Sequence, residues 1–432
     1  MASAQVRYGF TQGESLARLS RFVGRRTGLF KEPFPSFLPS HLPDIFVFNA
    51  DPLGSGAALS ETEALICTIG ESIERHSSQN YEPEDEVVCA FRDLGVEAPH
   101  PSRFALFSEA QYRSEGFPYV PFTEDAAVRW TTGHSLTDQR PISVPSCLTY
   151  LSHRQKAGEA LIGPSTSNGL SCHFDRNQAI LKSLYEVIER DAFFTMWLNR
   201  LSMPRLAIGE AGPLRETFDR RFNKPGIEYH FVDLTNDIGI PVLSCLVRMR
   251  HTAGVLAGVG AAANLDPEEA LLKAMVEATH TLVWCDAQIS RGEWTFDPTF
   301  SNIRDFADHV RLYCEPQMQP ELDFMISSQS LSCVSDLASR ASGNAKEDLD
   351  TCLRLLERRG LEAILVDATP QDVADAGLSI VKVAVPEAVA VNGQHRLRFL
   401  GGNRLYETPR VLGYSAARTC ERDLNTAPHP FP

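Results

Sequence analysis

The sequence has no long hydrophobic run and no secretory signal. Its longest weakly polar stretch, residues 253–263, is shorter than the about 20 apolar residues that a membrane-spanning helix needs. The first seven residues also lack the basic-then-apolar layout of a signal peptide. We therefore expect a cytoplasmic protein without a membrane-spanning segment.

Basic residues are fewer than acidic residues. The 432 residues include 55 acidic and 41 basic side chains, so the formal net charge is −14. A surface of that sign repels a phosphate backbone, which argues against binding of nucleic acid. Because 43% of the residues are hydrophobic, the composition is that of a globular protein, and wholesale disorder is excluded.

Closely spaced cysteines are missing as well. The ten cysteines are nowhere closer than nineteen residues, so the sequence contains no CxxC pair with zinc spacing. In a reducing compartment we expect ten free thiols that pack as small apolar groups.

The order of the predicted elements indicates an α+β (mixed α/β) fold. Residues 1–55 are rich in proline and phenylalanine, which predicts an extended arm that ends in a short strand, Ile45–Phe48. In residues 56–432, helical and strand-like patterns alternate without a linker, which predicts one main domain of helices packed on sheets. A helix over 346–359 is expected to end at Gly360. The other strand candidates are Glu228–Leu234, Val242–Met249, Gly254–Val259, Ala363–Val366 and Ser379–Val385.

Three segments align without gaps when each is started at a predicted helix N-cap. The caps are Ser60, Asp175 and Asp266. Each is followed three residues later by a side chain that suits a capping box, namely Glu63, Gln178 and Glu269. Apolar residues then recur at matching helical positions, so the three helices are expected to bury equivalent faces.

Eleven residues past the cap, all three segments carry a glutamate on the side of the helix away from the apolar stripe. The first two copies add a glutamate and an arginine, three and four residues further on, on that same face. These residues are Glu71, Glu74 and Arg75 in the first copy, Glu186, Glu189 and Arg190 in the second, and Glu277 in the third. If the helices converge, five carboxylates and two guanidinium groups share one space.

Such a space is strongly anionic unless cations bind there. Oxygen ligands favour Mg²⁺, which is usually held by one or two carboxylates together with phosphate oxygens. Arginine recognises phosphate through paired N–H donors. The residues therefore predict an ATP–Mg²⁺ site, although the chain has no Walker motif.

The last five residues, Pro428-His429-Pro430-Phe431-Pro432, place proline at alternate positions. This pattern stiffens the backbone toward polyproline II and presents the terminal carboxylate at the end of a low-entropy arm.

Together these features resemble the YcaO family, and within it the azoline-forming cyclodehydratases (D subunits) that modify ribosomally made peptides. The resemblance covers about residues 60–432. It rests on the three acidic helices, the run 167–192 and the segments 367–370 and 381–386, which occur in the family's order. It implies a YcaO-type fold in which three equivalent helices converge on an ATP site, so that residues 56–432 form the catalytic domain.

The resemblance also assigns roles to residues. In the family, such glutamates hold Mg²⁺ and the nucleotide phosphates; here they are Glu71, Glu74, Glu186, Glu189 and Glu277. The implied nucleotide contacts are Ser171, Gln178, Glu186, Arg190, Arg75, Lys273 and Glu277. Lys273 stands where family members often carry arginine, and Leu282 and His280 depart from the usual glutamine and arginine.

The implied reaction is ATP-dependent cyclodehydration. The thiol or hydroxyl of a Cys, Ser or Thr residue attacks the preceding backbone carbonyl, the amide oxygen takes the γ-phosphoryl group, and phosphate leaves to give a thiazoline or oxazoline. Arg190 and Glu189 are the catalytic candidates on the second helix, and the carboxylate of Pro432 would accept a proton. We expect removal of Phe431 and Pro432 to slow this reaction with little change in nucleotide affinity.

Partners follow from the same resemblance. A chain of this length has no room for a separate E1-like domain beside the YcaO part. We therefore expect an E1-like partner protein that binds the leader of the precursor peptide, in a hetero-oligomer. An FMN-dependent azoline dehydrogenase is a further candidate partner.

Three alternatives remain open at this point. Related enzymes use the same ATP site to make thioamides or amidines. The chain could instead be a non-catalytic scaffold subunit, with a site degenerate at His280 and Leu282. A metal-dependent hydrolase would use the same carboxylates without ATP.

Overall fold

The computed structural model describes residues 12–24, 28–36, 38, 41–51, 54–81, 86–151, 153–252, 254–290, 292 and 294–432. No helix among these residues has the length and apolarity that a membrane span requires. The predicted arm, residues 1–55, lies partly outside the described residues.

The strands, in chain order, are short at the ends of the chain and longest in the middle. They are β1 (Phe34–Pro35), β2 (Phe46–Ala50), β3 (Gly54–Ala58), β4 (Val87–Ala90), β5 (Ala127–Ser135), β6 (Pro141–Pro145), β7 (Leu170–His173), β8 (Arg205–Ala207), β9 (Ile227–Asp233), β10 (Val242–His251), β11 (Gly254–Ala263), β12 (Leu331–Cys333), β13 (Ile364–Asp367) and β14 (Ser379–Ala384).

Three α-helices are much longer than the others, and they are the three that the sequence aligns. The helices are α1 (Gln12–Leu19), α2 (Glu61–Asn80), α3 (Glu109–Tyr112), α4 (Arg176–Asn199), α5 (Pro213–Thr217), α6 (Pro267–Ile289), α7 (Phe306–Leu312), α8 (Ala345–Glu357), α9 (Gln371–Ala374) and α10 (Asn403–Val411).

The strands of the described residues form three sheets. The small sheet has the order β1-β2-β3, and a five-stranded sheet has the order β11-β10-β9-β8-β12. A six-stranded sheet has the order β4-β5-β13-β14-β7, with β6 also paired to β5. The mixed α/β fold with helices packed on sheets is as predicted.

The three long helices lie where these sheets meet. Helix α4 packs against β7 and β14 of the six-stranded sheet and against β10 and β11 of the five-stranded sheet. Helix α2 packs on β2 and β3 and reaches β7, whereas α6 packs on β10 and β11 and reaches β3. This arrangement brings the polar faces of the three helices toward one region.

Close approach of helix and strand depends on glycine at two positions. A Cβ atom on Gly56 of β3 would lie 2.7 Å from the carbonyl oxygen of Ala64 in α2. A Cβ atom on Gly260 of β11 would lie 2.6 Å from the carbonyl oxygen of Ala274 in α6. A side chain at either position would push its helix outward, because a protein interior is close-packed.

Most strand predictions are confirmed within a few residues. The candidates at 228–234, 242–249, 254–259, 363–366 and 379–385 correspond to β9, β10, β11, β13 and β14, and Ile45–Phe48 corresponds to β2. The predicted helix at 346–359 is α8, and Gly360 follows it with φ +69°, the left-handed conformation that glycine favours at a helix end.

The N-terminal segment contains more structure than an extended arm. Helix α1 packs against α2, and Leu19 and Phe22 are buried in a cluster that includes Ile73 of α2. The division into an arm at 1–55 and a catalytic domain at 56–432 remains a prediction.

The expectation of ten free thiols is wrong for one pair. Cys285 of α6 and Cys314, just beyond α7, are joined by a disulfide, while Cys67, Cys89, Cys147, Cys172, Cys245, Cys333, Cys352 and Cys420 are free. The physical reason is that α6 and α7 pack against each other, which brings together cysteines 29 residues apart. Sequence spacing does not reveal such a contact.

Candidate functional site

All three predicted N-caps begin their helices. The side chain of Ser60 accepts a hydrogen bond from the Glu63 backbone N–H at 3.3 Å, and Asp175 accepts one from Gln178 at 2.8 Å. Asp266 accepts from the backbone N–H groups of Glu268 and Glu269. Because the three helices begin in the same way, their acidic residues occupy equivalent turns.

In α2, the acidic motif is held by its own arginine and by the small sheet. Arg75 lies 3.2 Å from Glu71 and 3.9 Å from Glu74. The other oxygen of the Glu71 carboxylate accepts a hydrogen bond from the backbone N–H of Ser55 in β3 at 3.0 Å. Strand β3 therefore helps to fix the direction of Glu71.

The acidic motif of α4 is more deeply buried than that of α2. Arg190 lies 3.4 Å from Glu189 and 3.7 Å from Glu186. Glu189 is only 2% exposed, so its carboxyl group is withdrawn from water. These ion pairs are longer than ordinary hydrogen bonds, which leaves Arg190 donors available for another partner.

Helix α6 joins the group through Lys273. Its ammonium lies 3.4 Å from Glu277 on the same helix and 3.9 Å from Glu189 on α4. Arg75 of α2 and Lys273 are also among the charges that act on Glu186. The acidic side chains of the three helices therefore lie together, and their roles in binding remain predictions.

Burial raises the pKa of three of these carboxyl groups. It raises the pKa of Glu74 well above its usual range and raises the pKa of Glu186. Burial also raises the pKa of Glu189 to about 8, against the opposing charges of Lys273 and Arg190. A raised pKa means that nearby positive charge does not stabilise the ionised carboxylates enough. A bound cation would supply that charge.

Several buried N–H donors fit the nucleotide, which is the second component of the predicted ATP–Mg²⁺ site. Arg190 Nε and Nη1, Arg75 Nε and Gln178 Nε2 are buried without a hydrogen-bond partner. Leaving such N–H groups unpaired is costly, so the site is suited to an oxygen-rich anion such as a phosphate chain. Carboxylates and unpaired donors together fit a metal–nucleotide complex.

The residues that the structure describes do not form a preformed cage for the metal. Within the described ranges, no group of three or more His, Cys, Asp or Glu side chains is arranged to hold a metal ion. Mg²⁺ commonly keeps several waters and takes phosphate oxygens, so a site that assembles with the nucleotide is consistent with this arrangement.

Ser171 and Pro432, the remaining predicted site residues, lie at the margins of this region. Ser171 is in β7, next to Cys172, whose backbone N–H lies close enough to Glu74 to oppose the rise in the pKa of that carboxyl group. Pro432 follows Phe431, whose ring centroid lies 4.1 Å from the Arg190 guanidinium carbon. The tail therefore reaches the motif of α4.

Lys382 is a site residue that the sequence analysis missed. It lies in β14, is 4% exposed, and donates a hydrogen bond from its ammonium to the Thr166 carbonyl at 2.5 Å. Burial lowers the pKa of Lys382 to about 8, while Glu186 and Glu74 act in the opposite direction. The available signal was a single lysine in a strand whose other residues are mostly apolar.

Asp191 was also missed as a positioning residue. Its fully buried carboxylate accepts two hydrogen bonds from Arg404, at 2.6 and 3.2 Å, one from Asn236 at 2.8 Å and one from the Val389 backbone N–H. Asp191 directly follows Arg190, so these contacts fix the end of the motif in α4.

The pKa of Glu189 gives a prediction for the ligand-free protein. Below about pH 8 the folded protein keeps a proton on Glu189, whereas the unfolded chain loses it near pH 4.3. The wild type therefore loses stability as the pH rises through this window, and Glu189→Gln avoids that loss. We expect the free energy of unfolding of Glu189→Gln, relative to the wild type, to increase from about pH 5 to about pH 8 and then level off.

Chemical denaturation in the presence of EDTA measures this difference. Glu115→Gln, at an exposed position after α3, is the matched control and should show no such trend. A constant difference between Glu189→Gln and the wild type across this pH range would contradict the assigned protonation.

The chain is similar to known proteins in sequence and in fold. Residues 55–389 match the family described as YcaO cyclodehydratase, ATP- and Mg²⁺-binding. Among solved structures, a heterocyclase in complex with substrate and cofactor has a TM-score of 0.84 and 23% identity over 100% of this chain and 59% of its own. This chain thus spans little more than half the length of that heterocyclase.

Two further structures share the fold. YcaO from Methanopyrus kandleri, bound with AMPPCP and Mg²⁺, has a TM-score of 0.62 and 20% identity, covering 88% of this chain and 92% of its own. The E. coli microcin synthetase McbBCD complex contains a chain with a TM-score of 0.61 and 13% identity, covering 85% of this chain and 90% of its own.

Proposed function

Because the chain belongs to the YcaO family, we propose that it is an ATP-dependent cyclodehydratase that converts Cys, Ser or Thr residues of a ribosomal precursor peptide into thiazolines or oxazolines. The observation that carries the proposal is the meeting of α2, α4 and α6, where buried carboxyl groups lie beside arginine donors without partners. Such a combination suits a charged phosphate chain together with a cation.

The proposal divides the site between metal and nucleotide. Mg²⁺ would be held by some or all of Glu71, Glu74, Glu186, Glu189 and Glu277. The nucleotide would be held by Ser171, Gln178, Arg75, Arg190 and Lys273, together with Glu186 and Glu277 through the metal. When bound, Mg²⁺ neutralises charge on the phosphate oxygens.

The chemistry needs a better leaving group than an amide oxygen. In the proposed reaction the substrate thiol or hydroxyl bonds to the preceding carbonyl carbon, and the amide oxygen takes the γ-phosphoryl group, which releases ADP. Loss of phosphate then forms the C=N bond of the ring, so the removed oxygen leaves as part of phosphate. Arg190 stabilises the negative charge on the transferred phosphoryl group. The Pro432 carboxylate accepts a proton during the attack by the thiol or hydroxyl.

We also propose a partner for precursor recognition. The similar heterocyclase is longer, with about 40% of its length outside the match, and another similar chain belongs to a multi-protein synthetase. An E1-like protein that binds the precursor leader, in a hetero-oligomer with this chain, fits both observations. An FMN-dependent dehydrogenase that oxidises the azoline is a further proposed partner.

The position of Leu282 weakens the scaffold alternative. Leu282 is fully buried in the core between α6 and the five-stranded sheet, so its departure from the family pattern lies away from the acidic face. His280 is half-buried, and burial lowers its pKa to about 4, so it is neutral near pH 7. All five glutamates of the motifs are still present, although a neutral His280 does not supply the positive charge of the usual arginine.

Intact-mass analysis tests the proposed function. Purified chain, ATP, Mg²⁺, candidate precursor and candidate partner are incubated together, and the precursor is then weighed. The proposal predicts loss of one water per ring, only when ATP is present. Exchange of oxygen for sulfur would identify a thioamide-forming enzyme, turnover without ATP a hydrolase, and an unchanged precursor would contradict all three.

A further inference from the structure

The C-terminal segment lies in a slot formed by side-chain donors. Three successive carbonyl groups, those of Ala427, Pro428 and His429, each lie against a donor from the body of the protein. The donors are Trp197 Nε1 at 3.2 Å, Tyr313 Oη at 2.5 Å and, in the tautomer that carries its proton there, His309 Nδ1 at 2.8 Å. Side chains far apart in sequence therefore fix the path of the tail residue by residue.

The side chains of the tail are buried along this path. The ring of His429 stacks on that of His309, with 3.8 Å between centroids. Phe431 is 1% exposed, and its ring centroid lies 4.4 Å from that of Phe193 in α4. The tail is thus part of the core beside α4.

The ring of Phe431 also faces a charged group of the proposed site. The guanidinium carbon of Arg190 lies over this ring, 4.1 Å from its centroid. The same guanidinium pairs only loosely with Glu186 and Glu189, and its Nε and Nη1 are buried without hydrogen bonds. An aromatic face attracts a cation, so the ring restricts the guanidinium on one side.

We infer that Phe431 is a positioning residue that holds Arg190 in the orientation needed for the nucleotide phosphates. The inference rests on the proposed function, in which Arg190 binds phosphate. Without the ring, only long ion pairs direct the guanidinium, and ordering it would oppose nucleotide binding. Because coupling between two binding events is reciprocal, a bound nucleotide should in turn stabilise the docked tail.

A Phe431 ring of similar shape but with a weaker negative face distinguishes two roles of this residue, positioning of Arg190 and packing in the core. Trifluorophenylalanine at position 431 weakens the negative face of the ring and keeps it apolar. Cys420 is an exposed natural cysteine, so a synthetic 420–432 peptide can be ligated there without any other change. The matched control is trifluorophenylalanine at position 194, whose ring contacts His429 and Phe431, introduced by codon suppression.

Calorimetric titration with Mg²⁺ and AMPPCP is the first measurement. We expect the fluorinated ring at 431 to weaken binding about 2- to 30-fold, the range that a cation–π contact provides. Phe431→Leu should weaken binding at least as much, and the control at 194 should bind like the wild type. Hydrogen exchange of residues 425–431 in the wild type should slow when AMPPCP is bound.

The outcomes separate the inference from the function on which it rests. Equal affinity of the wild type and the protein fluorinated at 431 would overturn the inference while leaving the ATP site intact. The same loss at 194 as at 431 would also overturn it, because packing would then account for the effect. Failure of the wild type to bind Mg²⁺–AMPPCP would overturn the proposed function and the inference together.

Discussion

Glu186→Gln is expected to lower ATP-dependent ring formation by about 100-fold or more while the protein stays folded. Glu186 is the carboxyl group on which charges from all three helices act, those of Arg190, Arg75 and Lys273. The amide has the same shape but no negative charge to hold a cation. Because burial raises the pKa of Glu186, an uncharged side chain at this position should not reduce folding stability.

The measurement is the rate of water loss from the precursor in the reconstituted complex, followed by mass. Glu115→Gln, exposed and outside the three helices, is the control and should be as active as the wild type. Unchanged ring formation by Glu186→Gln would favour the scaffold alternative.

The second large effect is expected at the end of the tail. Replacing the carboxylate of Pro432 by a carboxamide removes the proposed base and keeps the ring of Phe431 in place. We expect the rate of cyclisation at saturating ATP to fall by about 100-fold or more, in the range of general base catalysis, with unchanged affinity for Mg²⁺–AMPPCP. The carboxamide and carboxylate forms can be prepared as a matched pair by ligation at Cys420.

Two results would contradict this role of Pro432. One is an unchanged rate, and the other is an equal loss of nucleotide affinity. Deletion of both Phe431 and Pro432 does not separate these possibilities, because Phe431 contacts Arg190. If Phe431 positions Arg190 as we infer, such a deletion should lower nucleotide affinity as well, in contrast to the expectation from the sequence.

The features that could be predicted from the sequence are local ones. A cap such as Asp175 and the residues that follow it lie within one or two turns, so spacing alone indicates the helix and the face that carries Glu186. Strands with apolar runs, such as β10 and β14, were found for the same reason. The match among three helices then predicted that their acidic faces are equivalent.

The features that could not be predicted depend on packing between distant segments. The contact of Lys273 with Glu189, the disulfide of Cys285 with Cys314, and the ring of Phe431 under Arg190 each join separate elements. No local pattern encodes such distances. Lys382 lies between these two cases. A lysine in an apolar strand can be recognised in the sequence, but its proximity to Glu74 and Glu186 cannot.

In the proposed function, carboxyl groups from all three helices contribute to one Mg²⁺–nucleotide site. Calorimetric titration of Mg²⁺–AMPPCP into the wild type and into Glu71→Gln, Glu186→Gln and Glu277→Gln tests it directly, with Glu115→Gln as the control. The wild type should bind measurably and only with Mg²⁺, each of the three variants should bind more weakly, and the control should keep wild-type affinity. Wild-type affinity in all three variants, or no binding by the wild type, would contradict it.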